Sequence, residues 1–87
     1  MLPLSRYRVT GRSMEPNFFD GDYVIAFSYI FNKPKIGDVI VFKKGKMFLI
    51  KRIEKAGDIK IVVTGDNSKN KFIVYKKDIL GKVISRI

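Results

Sequence analysis

The sequence predicts an all-β fold, a small antiparallel barrel or sandwich, and three features predict it. Four of the seven glycines stand in Gly-Asp pairs, at Gly21-Asp22, Gly37-Asp38, Gly57-Asp58 and Gly65-Asp66. The first three each lead into a run rich in β-branched or aromatic residues, which is turn-then-strand punctuation. Residues 46–55 alternate with period two, and nothing in the chain carries the spacing of a long amphipathic helix.

Taken in order, strands are predicted over Arg6–Thr10, Asp22–Ser28, Asp38–Phe42, Lys46–Lys55, Ile59–Thr64, Phe72–Tyr75 and Gly81–Ile87. Lys43-Lys44-Gly45-Lys46 reads as one hairpin tip and Ala56-Gly57-Asp58 as another, so Val39 to Val63 forms a continuous meander. Short turns are expected at Ser13–Phe19 and Lys76–Leu80. No linker, repeat or low-complexity segment divides the chain, which predicts a single domain over residues 1–87.

Composition narrows the chemistry. With 46 % hydrophobic and 13 % aromatic residues, an 87-residue chain is suited to one modest core. Cysteine and histidine are both absent. That removes disulfides, the usual zinc ligand sets, and every nucleophile that relies on a histidine base. Any general base must come from Lys, Asp, Glu or Tyr. No apolar run approaches the roughly 18 residues of a membrane span, and Met1–Arg8 lacks the apolar centre of a signal peptide. A soluble, cytoplasmic protein is the expectation. Eighteen Lys and Arg against eight Asp and Glu give a formal charge of +10. That charge suits nucleic acid, an anionic membrane or an acidic polypeptide, without choosing among them.

The segment Gly11-Arg12-Ser13-Met14-Glu15-Pro16 follows a predicted strand and places a serine on a tight loop whose backbone a glycine and a proline fix. On its own this is an ordinary turn serine. Lys51 supplies what it lacks. Period-two alternation puts Met47, Leu49, Lys51 and Ile53 on one face of a strand and Phe48, Ile50, Arg52 and Glu54 on the other. Lys51 therefore stands in an apolar row without an adjacent carboxylate, where desolvation lowers an amine's pKa from about 10.4 toward the range a general base needs. The plainer reading of that lysine is a cation snorkelling at a sheet edge.

In the order Gly11-Arg12-Ser13-Met14-Glu15-Pro16, Gly21-Asp22-Tyr23-Val24, Ile36-Gly37-Asp38-Val39-Ile40, Ile50-Lys51-Arg52-Ile53, Gly65-Asp66-Asn67 and Ile79-Leu80-Gly81-Lys82-Val83, the chain resembles the type I signal peptidase superfamily. That superfamily also includes the self-cleaving LexA-like repressors. The resemblance runs from about Val9 to Val83. The Gly-x-Ser-Met-x-Pro form is most similar to small members, such as the catalytic cores of mitochondrial inner-membrane peptidases and the nickel superoxide dismutase maturation peptidases.

The resemblance implies an endopeptidase with a serine-lysine dyad. Ser13 is its nucleophile and Lys51 its base, an acyl-enzyme is the intermediate, and no metal or cofactor takes part. The Ser13 N–H would be one oxyanion donor. The residue two before the serine, which often adds a hydroxyl, is here Gly11, so a second donor is unassigned. Met14 would shape a pocket for small side chains, and Asp66 and Asn67 would buttress the base. After Asn67 the sequence departs from the bacterial pattern, with Ser68-Lys69-Asn70-Lys71-Phe72-Ile73. There Ser68 is the available replacement for the group that orients Lys51, and Lys71 would bias Lys51 toward its neutral form by repulsion.

The expected partner is a polypeptide, cleaved as a signal-peptide-like segment or an amino-terminal propeptide. An anionic membrane surface or membrane partner is compatible with the charge, and the oligomeric state is open. Two other readings stand beside this one. One is an inactive relative that binds extended peptides. The other is a basic β-barrel that binds single-stranded nucleic acid through Lys43, Lys44, Lys46, Lys69, Lys71, Lys76 and Lys77 around Phe48 or Tyr75, a partner that the charge supports and the motifs do not.

Overall fold

A computed structural model describes residues 3–30 and 32–87. Its strands are β1 (Leu4–Arg8), β2 (Tyr23–Phe27), β3 (Val39–Lys44), β4 (Met47–Ala56), β5 (Lys60–Thr64), β6 (Lys71–Tyr75) and β7 (Ile79–Arg86), with a short 3-10 turn at Lys76–Asp78. All seven predicted strands are present. The first starts at Leu4 rather than Arg6 and ends at Arg8. Val9 has left the strand but still closes its end: Val9 N–H donates to the Asp22 carbonyl at 2.7 Å, and Gly21 N–H donates to the Val9 carbonyl at 2.8 Å. These two bonds clamp the base of the loop that carries Ser13. Among the described residues no helix is long and apolar enough to cross a membrane.

The strands hydrogen-bond as one antiparallel sheet in the order β1-β2-β7-β3-β4-β5-β6. The sandwich-like feature lies in how this sheet covers its own centre. Val39, Ile40, Val41 and Phe42 of β3 are all buried, and a strand points successive side chains to opposite faces, so both faces of β3 carry core. Val39 and Val41 pack with Val9, Met14, Val24, Ala26 and Ile50. Ile40 and Phe42 pack with Ile53, Ile61, Val63 and Val74. Strands β1 and β2 thus cover one face and β5 and β6 the other.

One irregularity creates the site. Strand β4 pairs with β3 along Met47–Arg52, but β5 pairs with β4 only where Arg52 meets Thr64 and beyond. The Met47–Lys51 half of β4 is therefore left with one edge unpaired by any strand. Past Thr64 the chain departs from β4 as Gly65-Asp66-Asn67 and packs against the Ser13 loop instead. Lys51 stands at the point where the two strands part.

The two-faced core predicts an asymmetric response to truncation. Phe42→Ala, at a ring 1 % exposed, should cost about 3–5 kcal/mol in urea unfolding. Ile73→Ala, at a side chain 63 % exposed, should stay within about 0.5 kcal/mol.

Candidate active site

Within the clamped loop the backbone turns on itself, with Glu15 N–H donating to the Arg12 carbonyl at 3.2 Å and Asn17 and Phe18 N–H groups donating to the Met14 carbonyl at 3.0 and 2.9 Å. Gly11 takes φ +86°, a left-handed conformation that costs a glycine little and other residues more. Its N–H donates to Asp20 Oδ1 at 2.8 Å, so that amide is already engaged. Met14 is 1 % exposed and plugs the first core cluster. With its successor anchored in the core, Ser13 is held half-buried with its hydroxyl toward β4.

There Ser13 Oγ lies 2.6 Å from Lys51 Nζ, a hydrogen bond between residues 38 apart in sequence. Lys51 stands opposite Ile40 in the β3–β4 register, on the face that Leu49 and Ile53 also occupy. Burial among these neighbours pushes the Lys51 amine below its ordinary pKa. The Phe72 ring centroid is 5.6 Å from Nζ, at the far end of the range in which a ring face favours a cation. Lys44 holds the same ring more closely, at 4.4 Å. No carboxylate forms an ion pair with Lys51 among the described residues. Desolvation is thus the cause of the lowered pKa.

Gly65-Asp66-Asn67 supports the pair differently from the sequence-based expectation. Its direct hold is on the main chain of the serine loop: Asn67 N–H donates to the Ser13 carbonyl at 2.7 Å, and Asn67 Nδ2 donates to the Arg12 carbonyl at 3.3 Å. A Cβ on Gly65 would sit 2.6 Å from the Ser13 carbonyl oxygen, closer than any side chain allows, which explains the glycine. The base is reached only through its neighbour. Asp66 takes a two-pronged bond from Arg52, at 2.8 and 2.9 Å, and accepts from Asn17 Nδ2 at 2.8 Å. Arg52 also donates to the Gly37 carbonyl at 2.7 Å. Asp66 thus ties the serine loop, through Asn17, to the strand position next to Lys51.

Two expectations for the stretch after Asn67 are corrected. The Ser68 hydroxyl accepts from Asn70 N–H at 3.1 Å within its own turn, and Lys51 Nζ bonds to Ser13 Oγ rather than to Ser68. Lys71 is neutralised by Glu54 at 2.8 Å, and burial rather than a neighbouring cation lowers Lys51. Sequence reasoning assigned no role to Arg52, Asn17, Asp20 or Phe72. Arg52 carried a signal in standing beside Lys51, but its partner lies 14 residues away and emerges only when β5 turns off the sheet.

Beside the pair is a cleft of about 30 Å³, lined in part by Thr10, Met14, Phe48 and Ile50 together with Ser13 and Lys51. A single all-β sheet that brings a serine hydroxyl against a partly buried lysine amine beside a small cleft is an arrangement that could support peptidase chemistry. In agreement, residues 4–84 match the family described as Peptidase S24-like, and the chain belongs to that family. No curated protein matches the chain.

The Arg52–Asp66 link can be tested by pH. Arg52 holds the Asp66 carboxyl below its ordinary 3.8, so the stability it contributes is present above that value and is lost as pH falls through the lowered one. Asp66→Asn should therefore unfold at lower urea than the native chain at pH 7. The gap should close as pH is taken below about 3.8.

Proposed function

We propose that the protein is a serine endopeptidase in which Ser13 attacks the scissile carbonyl and Lys51 serves as general base and then general acid. The observation that carries this is the 2.6 Å contact between Ser13 Oγ and the desolvated Lys51 amine. With the amine neutral, the Ser13 hydroxyl donates to Nζ. As Oγ bonds to the carbonyl carbon, its proton passes to Nζ and the carbonyl oxygen becomes an oxyanion. The Ser13 N–H, which bonds to no other group among the described residues, serves as one donor to that oxygen. Collapse breaks the C–N bond, and Lys51 returns the proton to the leaving amine. Water then attacks the Ser13 ester and gives a proton to Lys51; collapse breaks the bond between the carbonyl carbon and Oγ, Lys51 returns that proton to Oγ, and the acid product leaves.

The free edge of β4 gives the substrate its track. The β3–β4 hairpin turns through two residues, with Lys44 opposite Met47, Phe42 opposite Leu49 and Ile40 opposite Lys51. In an antiparallel pair bonded and non-bonded positions alternate, so Phe48 and Ile50 direct their N–H and C=O groups away from β3, toward the open side. An extended peptide pairs there and runs past Ser13. The cleft of about 30 Å³ is small, which favours a small side chain beside the scissile bond. Cleavage after small residues, as in processing of a signal-peptide-like or amino-terminal segment, is the matching activity.

The test is the intact mass of candidate peptides with small residues at the scissile position, after incubation between pH 7 and 10. Cleavage by the native chain should rise with pH and level off above the pKa of Lys51, below the ordinary 10.5. Ser13→Ala and Lys51→Ala should each lose at least about a thousandfold. Equal cleavage by either folded variant would overturn the dyad, and no cleavage by the folded native chain across a broad peptide set would leave an inactive relative that binds extended peptides.

A further inference from the structure

A wider groove, of about 420 Å³, lies between the β3–β4 turn and β6. Its walls include Lys43, Lys44, Phe72, Ile73, Tyr75 and Asp78. Phe72 relates the groove to the serine-lysine pair, since it lines the groove and its ring centroid stands 5.6 Å from Lys51 Nζ.

Two features determine what fits there. One wall is an open strand edge and the other offers a single free main-chain position. Strand β6 ends the sheet order and, among the described residues, has no strand partner on its outer side. Lys76 N–H donates to the Ile59 carbonyl, so by alternation Ile73 and Tyr75 turn their N–H and C=O groups outward. Strand β7 pairs with β3 only through Phe42, which leaves the Lys43 main chain unpaired on the same side. Charge is the second feature. Arg12, Arg52, Lys71, Lys82 and Arg86 each have a carboxylate within 4 Å. Lys43 and Lys44 have none among the described residues, as is true of most cations of this chain, but they stand together in one groove wall, and Lys44 rests on the Phe72 ring at 4.4 Å. Asp78 is the one carboxylate in the walls and does not pair with either lysine.

We propose that this groove is a second substrate subsite, which receives an acidic, extended segment of the same polypeptide that reaches Ser13. The inference rests on the peptidase reading for its link to cleavage, and on the groove alone for its acidic preference. An open backbone edge matches the amides of a peptide strand, and unpaired lysines match its carboxylates. Single-stranded nucleic acid is the poorer fit, because the Phe72 face it would need for stacking already carries Lys44.

The experiment uses dye-labelled peptides that share one small-residue segment and carry a tail of Glu, Gln or Lys, placed before or after that segment in separate peptides. Binding is read by fluorescence anisotropy on Ser13→Ala, and cleavage is read separately on the native chain. The Glu tail on one side should bind at least about fivefold more tightly than the Gln tail, with the difference shrinking at high salt. Because the whole protein is basic, the deciding variant is the double charge reversal Lys43→Glu with Lys44→Glu. It should invert the order in favour of the Lys tail while the protein remains strongly basic. Equal binding of all tails, an order that the double reversal leaves unchanged, or displacement of the Glu peptide by an oligonucleotide of equal charge overturns the proposal. An inverted order without cleavage of any peptide by the native chain upholds the groove and removes the peptidase reading instead.

Discussion

The hydrogen bond from Asn67 N–H to the Ser13 carbonyl, 2.7 Å long, joins two parts of the chain that no strand ladder connects. It forms because β5 stops following β4 at Arg52 and delivers Gly65-Asp66-Asn67 to the serine loop. The closeness of that approach demands the glycine, since any Cβ at Gly65 would meet the Ser13 carbonyl oxygen. The same departure uncovers the edge of β4 on which Lys51 stands. The position of Ser13, the exposed edge and the position of Lys51 are consequences of one parting of strands.

Around that junction polar and apolar restraints divide the work. Met14, buried next to Ser13, fixes the loop from the core side, and a buried side chain of that size resists displacement because the surrounding packing is dense. Asp66, bridging Arg52 and Asn17, fixes it from the solvent side with charge-assisted bonds, which are stronger and more directional than neutral ones. Lys51 is treated in the opposite way. It has a hydroxyl and an aromatic ring nearby but no carboxylate partner, so its charged form is disfavoured. Holding an amine in such a place works against the stability of a small domain, which makes the arrangement more than a convenient way to fill space.

Much of this was legible in the sequence, for physical reasons that differ from residue to residue. The alternation of residues 46–55 placed Lys51 in an apolar row correctly, because period-two patterning is a local property of a half-buried strand. The continuous run Val39-Ile40-Val41-Phe42 already carried the signature of a strand covered on both faces, although a barrel or sandwich does not by itself specify one sheet with two cores. Asp66 and Asn67 were expected at the site, but their contacts were not, since the point at which β5 leaves β4 is set by tertiary packing. Arg52 read as an ordinary outward residue, and its bond to Asp66 depends on that same departure. Lys71 illustrates the converse, because its charge suggested repulsion of Lys51 while the structure pairs it with Glu54.

The central claim is that this frame holds Lys51 as a neutral amine against Ser13, and a lysine side-chain NMR titration tests it most directly. With ¹³C-labelled lysine, the Cε resonance that disappears in Lys51→Arg should titrate below the ordinary 10.5, apart from the other lysines of this basic chain. Its titration should move when Ser13 is replaced by Ala, because the hydrogen-bond partner is lost. If the Lys51 resonance instead titrates with the surface lysines and is indifferent to Ser13, the amine is an ordinary cation and the account of the site is wrong.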